Sequence, residues 1–340
     1  GSLVGVGASA LVSVKLGQKD YATAQNILGN VVTLNFIIGI GFSILTLLFL
    51  DPILYFFGAS PDTISYARDY MVIILLGNVI THMYLGLNAL LRASGHPQKA
   101  MTATITTVII NTILDPIFIY LFHWGIQGAA IATMLSQVVG GLLPVFYFLN
   151  RKNTSLLHLC RPQFEGGVLL KACVNGSSEL MTNLSMSLVN ILYNYQLLRF
   201  AGEDGVAAYG VIMYASFLFV AVFVGYAVGS APIVSYHYGA NNRKEVNNLY
   251  RKSLKLIGVV AVVMTIGSMF IIPHVARFFV GYDENLLILT TRAFRLYGLS
   301  FLIMGFNVYA SSFFTALGDG VTSALISFLR TLLFQVAAVL

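Results

Sequence analysis

Long apolar runs alternate with short polar loops along the whole chain. Eight runs, at about 28–50, 69–91, 100–121, 127–149, 167–199, 206–236, 253–275 and 289–315, each reach the ~20 residues that a helix needs to cross a hydrocarbon core ~30 Å thick. Residues 1–13 read as the tail of a further span, and 321–340 as the start of another. Neither end shows a cap, a polar tail or a signal peptide, so the pattern reads as a chain cut inside helices at both ends. The fold class it predicts is an all-α polytopic membrane protein.

The loops sort by charge. One alternate set carries Lys15, Lys19, Arg92, Lys99, Arg151, Lys152, Arg161, Lys171, Arg243, Lys244, Arg251, Lys252 and Lys255, which is 13 of the 19 basic residues. The other set carries Asp51, Asp62, Asp69, Glu203, Asp204, Asp283 and Glu284. Basic loops stay on the cytoplasmic side of a membrane protein, so the first set is expected to face the cytoplasm of a multi-pass protein in the cell (inner) membrane. Composition removes the soluble alternative: 9% of residues are charged, against about 25% in soluble domains. The net charge of +6 is scattered over short loops and is no nucleic-acid footprint. Cys160 and Cys173 fall on or near the reducing side, where no disulfide is expected.

Two parts of the chain echo each other. Residues 12–17 read Val-Ser-Val-Lys-Leu-Gly and residues 234–239 read Val-Ser-Tyr-His-Tyr-Gly, an offset of 222. Phe56-Phe57 and Phe278-Phe279 share that offset, and Gly95 matches Gly318 at 223. Both Ser-x-x-x-Gly loops follow an inward-running helix, so the copies are parallel repeats about an axis along the membrane normal. The expected organisation is an N-terminal lobe over 1–149 (helices 2–6), a cytoplasmic linker over 150–166 and a C-terminal lobe over 167–340 (helices 7–11). An intact parent would hold two six-helix copies, roughly 440 residues at about 222 per copy.

Several blocks then become informative together: Gly-Val-Gly-Ala-Ser-Ala-Leu-Val-Ser-Val-Lys-Leu-Gly-Gln-Lys-Asp (5–20), Leu-Arg-Ala-Ser-Gly-His-Pro-Gln-Lys-Ala-Met (91–101), Asn-Thr-Ile-Leu-Asp-Pro-Ile-Phe (111–118), Gly-Ala-Ala-Ile-Ala-Thr (128–133) and Pro-Ile-Val-Ser-Tyr-His-Tyr-Gly-Ala-Asn-Asn (232–242). These resemble the multidrug and toxic compound extrusion (MATE) transporters, and Asn-Gly-Ser-Ser-Glu (175–179) leans toward their MepA-like bacterial branch. The resemblance implies a twelve-helix, two-lobed exporter. It would expel cationic or amphipathic small molecules in exchange for H⁺ or Na⁺, by alternating access around a central cavity. It would be a monomer in the bilayer, with no cofactor beyond the coupling ion and no enzymatic activity.

An ionisable side chain at the bilayer centre costs about 2.5–3.5 kcal/mol on insertion scales, so each one needs a reason. Asp115 and Glu179 are the acids in question. Asn111 precedes Asp115 by one turn and shares its helix face. Pro116 has no N–H, which leaves the carbonyl of Thr112 without its usual partner. Carboxylate, amide oxygen and freed carbonyl are hard donors suited to Na⁺ or a shared proton. Asp115 and Thr133 flank a tight turn near residue 124 at equal separation, so they lie at similar depth. The family resemblance adds that an Asn-x-x-x-Asp pair on the fifth helix and a Thr on the sixth form a cation-linked network with an Asp on the first helix; Asn111, Asp115 and Thr133 match it. The plainer reading of Asp115 is a buried carboxyl that holds two helices together.

Glu179 has Ser177, Ser178 and Thr182 around it, a polar patch suited to a substrate cation or to packing. Some relatives pair such an acid with another on the tenth helix, but 289–315 contains no Asp or Glu. Asn88 matches a cavity-lining position of the family, and Asn194 and Asn307 are further intramembrane amides. Such an amide is more often a helix–helix hydrogen bond than a ligand contact. Arg330, about ten residues into the truncated last span, is expected to bind a partner acid or snorkel, the alternative being a direct transport role. Asn153, Asn175 and Asn183 begin Asn-x-Ser/Thr triplets, but the first is placed in the cytoplasm and the others in the membrane, so glycosylation is not expected. The six histidines form no metal-spaced cluster. The alternatives carried forward are a lipid-linked oligosaccharide flippase of the same superfamily, which would want several cations in its cavity, and a non-transporting membrane protein.

Overall fold

The computed structural model describes residues 1–339 other than 151, 153, 154 and 161. Arg151, Asn153 and Arg161 of the linker therefore lie outside the described residues. The described residues are helical almost throughout: α1 Ser2–Gly17, α2 Tyr21–Leu48, α3 Leu50–Phe56, α4 Ile64–Ala93, α5 Pro97–Pro116, α6 Gly125–Leu149, α7 Gly166–Asn175, α8 Ser177–Gly239, α9 Arg243–Val280, α10 Glu284–Gly298, α11 Phe301–Ala316, α12 Gly320–Phe328 and α13 Phe334–Val339. A π-helical turn, Ile117–Leu121, follows α5, and another, Leu329–Leu333, joins α12 to α13.

Among the described residues seven helices are long and apolar enough to cross a membrane, or eight if the α10–α11 pair, bent by 50°, counts as one span. The 63 residues of α8 would extend far beyond one bilayer at 1.5 Å per residue. Gly202 divides it, with φ 63° and ψ −155°, a conformation only glycine adopts readily. The two spans expected at 167–199 and 206–236 meet at this break.

By internal packing the chain divides after Gly176, into Gly1–Gly176 and Ser177–Leu340. This differs from a second lobe beginning at residue 167, because α7 packs on α1. Gly7 makes that contact possible: a side chain there would collide with the Ala172 carbonyl. The linker is also bound to the first unit. Asn26 Nδ2 donates to Glu165 Oε1 at 2.7 Å, its Oδ1 accepts from the Gln163 amide at 2.8 Å, and Asn30 Nδ2 donates to the Gln163 carbonyl at 2.8 Å. Leu157 of the linker is itself fully buried in the core of that unit.

The core of the first unit is a stripe of Val4, Ala8, Val12 and Leu16 on α1, packed on Ala24, Ile27, Leu28 and Val31 of α2 and on Leu87, Leu90 and Leu91 of α4. Lipid tails are as apolar as leucine, so close packing drives such contacts rather than escape from water. Small residues supply it: a Cβ on Gly5 would lie 2.6 Å from the Gly86 α-carbon. In the second unit Phe223, Ile257, Ala261, Phe301 and Tyr309 form the largest cluster, with Phe219 stacked on Phe301 at 5.1 Å.

The repeat is visible in hydrogen bonds. Ser13 Oγ donates to the Ala93 carbonyl at 3.2 Å, and Ser235 Oγ to the Ala316 carbonyl at 2.7 Å. After each Ser-x-x-x-Gly, Lys19 and Asn241 take positive φ (63° and 55°), and Asp20 and Asn242 then cap α2 and α9. The Asp20 carboxyl is held below the usual range by its bonds to Thr23 and Lys15. Gly95 and Gly318 turn the chain with φ of 84° and 82°.

Replacing Gly7 by alanine is expected to destabilise the purified chain by at least about 1–3 kcal/mol through overpacking, seen as a lower melting temperature. Gly41→Ala, where a Cβ meets open space, is the control and leaves the melting temperature in place.

Candidate functional site

In the first unit α5 packs against α6 and the π turn. Asn111 Nδ2 donates to Asp115 Oδ1 at 3.3 Å, and both residues are half-buried. The π turn begins directly after Pro116, where the ring has already removed one helical hydrogen bond. Gly128 lies against the Phe118 backbone and Gly140 against the Thr107 side chain, which sets the antiparallel register of α5 and α6. That register brings Asp115 within about two residues of Thr133, roughly 3 Å along the axis. Thr133 is half-buried, and its carbonyl accepts from Ser136 Oγ at 2.8 Å. One turn further on, Gln137 accepts a short hydrogen bond from Thr81 of α4. The first unit thus joins a carboxylate to an amide on α5 and sets a Thr–Gln stripe of α6 beside it.

Asn88 occupies a different environment. Its amide nitrogen donates to the Ala100 carbonyl at 2.9 Å and to Thr104 Oγ1 at 3.2 Å, and its oxygen accepts from Arg92. It is buried, with its hydrogen bonds spent on tying α4 to α5.

In the second unit Glu179 is half-buried in the first turn of α8. Beside it a chain of hydroxyls crosses three helices. Ser178 Oγ meets Thr315 Oγ1 at 3.2 Å, Thr315 donates to Ser323 Oγ at 2.7 Å, and Ser311 Oγ lies 2.9 Å from both Ser323 and Ser327. Arg330, in the second π turn, has Glu179 within electrostatic range. Its Nε donates to Thr331 Oγ1 at 3.3 Å, while its Nη1 is buried without a hydrogen-bond partner among the described residues. Glu179 and Arg330 do not form an ion pair: those among the described residues are Lys15–Asp20 and Arg68–Asp51. Asn194 is exposed and Asn307 half-buried, and neither hydrogen-bonds to Glu179 among the described residues.

The sequence reading missed three features: the Thr81–Gln137 bond, the hydroxyl chain, and Arg292 and Arg295. The two arginines lie on the exposed face of α10. An intramembrane glutamine and two arginines within one span were signals, because each costs free energy in lipid. Among the described residues no group of three or more His, Cys, Asp or Glu could hold a metal ion.

Comparison with known proteins places these features in context. The MatE family model matches residues 1–117 and 180–339. The Multidrug export protein MepA of Staphylococcus haemolyticus is 24% identical over 320 residues, covering 94% of this chain and 70% of that protein. Its Staphylococcus aureus counterpart is 25% identical over 340 residues, covering 97% and 72%. Among solved structures, an outward-facing multidrug resistance MATE family transporter of the MOP superfamily superposes with a TM-score of 0.93 at 26% identity, covering 99% of this chain and 75% of that one. A MOP superfamily transporter from Pyrococcus furiosus superposes with a TM-score of 0.92 at 27% identity and the same coverage.

Replacing Asn88 by leucine leaves the Arg92 guanidinium without its acceptor. A loss of about 1–3 kcal/mol is expected, read from thermal melting of the purified protein.

Proposed function

The chain belongs to the MatE family of membrane transporters, and on that premise we propose that it is a cation-coupled exporter of cationic or amphipathic small molecules, working by alternating access. It is a multi-pass transporter of the cell membrane and not an enzyme. The observation that carries the coupling is the Asn111–Asp115 hydrogen bond on α5, with Thr133 at nearly the same depth. The amide orients the carboxylate, and a proton or Na⁺ neutralises it. Coupling requires that the ion bind one conformation more tightly than the other. A carboxylate in low dielectric also favours positive cargo. The names of the staphylococcal relatives support small-molecule export. Glu179 contributes a second negative site in the other lobe, where a substrate cation is the fitting partner.

Ethidium efflux from cells expressing the protein tests this. Asp115→Asn is expected to reduce efflux at least tenfold at unchanged expression, and wild-type efflux from that variant would remove Asp115 from the mechanism. Glu179→Gln is expected to impair cationic dyes more than neutral ones; equal loss for both argues against a charge role. In proteoliposomes, an imposed pH gradient or an imposed sodium gradient drives efflux according to which ion binds at Asp115.

A further inference from the structure

The seam between α2 and α4 holds one polar side chain that its surroundings do not satisfy. Ser43 Oγ donates to the Leu75 carbonyl at 3.0 Å, and Asn78 Nδ2 donates to Ser43 Oγ at 3.1 Å and to the Gly39 carbonyl at 3.3 Å. Asn35 lies about two turns before Ser43 on α2. It is 1% exposed, and neither its Nδ2 nor its Oδ1 has a hydrogen-bond partner among the described residues. An amide buried without a partner gives up its hydration for nothing in return, and native proteins keep few of them. The atoms already packed around Asn35 close both ends of the amide, so no other group reaches it unless these helices move.

The repeat supplies a comparison within the chain. Asn35 lies fifteen residues after Asp20, the cap of α2, and Ile257 lies fifteen after Asn242, the cap of α9. Ile257 is 3% exposed and packs on Gly305 of α11, where a Cβ would fall 3.0 Å from its Cγ2. Asn35 likewise packs on a glycine, Gly86 of α4, where any Cβ would run into its Nδ2. The same scaffold position is thus filled in the other copy by an apolar side chain. Packing does not require the amide, and in the arrangement described here an apolar residue is the more stable choice.

The contacts beside Asn35 suit movement. α1 meets α4 where a Cβ on Gly5 would lie 2.6 Å from the Gly86 α-carbon, and α2 meets α4 where a Cβ on Gly39 would lie 2.9 Å from the Val79 α-carbon. Helices that touch through bare backbone have few interlocking side chains to hold their register, and packed helices shift past one another by small sliding motions. Asn35 touches the first of these contacts and lies one turn from the second.

We propose that Asn35 sets the balance between two packings of the first unit. One is the packing described here, which its unsatisfied amide destabilises. In the other, α2 has shifted against α4 about Gly86 and the amide is hydrogen-bonded. The amide keeps the first packing from becoming a trap, so that the unit can leave it during the transport cycle. This inference rests on the transport reading for its effect on efflux alone; the two packings are read independently of it.

The test removes the amide in the full chain. Asn35→Leu is expected to raise the melting temperature by about 2–4 °C, the opposite of Asn88→Leu, whose amide is fully engaged. Spin labels on Leu48→Cys and Tyr66→Cys, both exposed and about 20 Å from Asn35 in the case of Leu48, report the shift of α2 against α4 once Cys160 and Cys173 are replaced by serine. Two distance populations are expected in the parent and one after Asn35→Leu. Ethidium efflux is expected to fall at least fivefold. If the leucine variant does not fold, the smaller Asn35→Val takes its place with the same expectations. A lowered melting temperature in both variants, a single distance population in the parent, two populations persisting in the variant, or parent-like efflux from a stabilised variant overturns the proposal. Full efflux from Asp115→Asn would instead overturn the coupling reading and leave the melting and distance results standing.

Discussion

A polar group inside a bilayer has no water to return to, and this constraint shapes most of the molecule. Many hydroxyls in the spans are satisfied locally by the carbonyl one turn back, as Thr107 is by Ala103, Thr112 by Val108 and Thr265 by Ala261. Others reach across to a neighbouring helix and become the ties that hold the bundle, as Ser43 does with the Leu75 carbonyl at 3.0 Å. Where lipid offers no hydrophobic drive, such ties and glycine contacts decide which helices pack together. The exceptions then stand out. Among the described residues, Asn35 is 1% exposed with neither end of its amide hydrogen-bonded, pressed against the bare α-carbon of Gly86, and Arg330 keeps one buried nitrogen without a partner.

Duplication gave the two units the same scaffold but not the same chemistry. The serine-to-carbonyl tie, the left-handed residue before the cap and the glycine turn recur in both. These parts set helix geometry, so both copies need them. The polar content of the spans has diverged. The first unit places a carboxylate, an amide and a Thr–Gln stripe around α5 and α6. The second places a carboxylate, a hydroxyl chain and a guanidinium around α8 and α12. Alike scaffolds with unlike fillings accord with the proposed division of tasks, one for a small ion and one for a larger guest.

The spans and the repeat were legible because each depends on local pattern: apolar run length and turn residues. The association of α7 with the first unit was not, because it rests on Gly7 meeting Ala172, residues far apart in sequence. The docking of the linker through Asn26 and Asn30 was hidden for the same reason. Asn88 looked like a cavity residue from its position alone. Arg92, one turn later on the same helix, was the legible sign that its oxygen was already engaged. The Asn111–Asp115 pair was legible from its four-residue spacing, whereas the Thr81–Gln137 bond joins two helices and has no sequence period.

The energetic demand on a coupling site indicates which of these groups can drive a transporter. Moving a two-state equilibrium from mostly one form to mostly the other takes about 5.5 kcal/mol of differential binding. A hydrogen bond to a charged group contributes only about 1.5–3 kcal/mol, so the Asn111 amide acting on Asp115 falls short by itself, and the neutral hydroxyl chain of the second unit offers less per bond. Neutralising a carboxylate that one conformation dehydrates and the other exposes removes a penalty of several kcal/mol. In the proposed mechanism the amide and the threonine hold the carboxylate where dehydration differs most between states, and the work of switching falls to the ion that neutralises it.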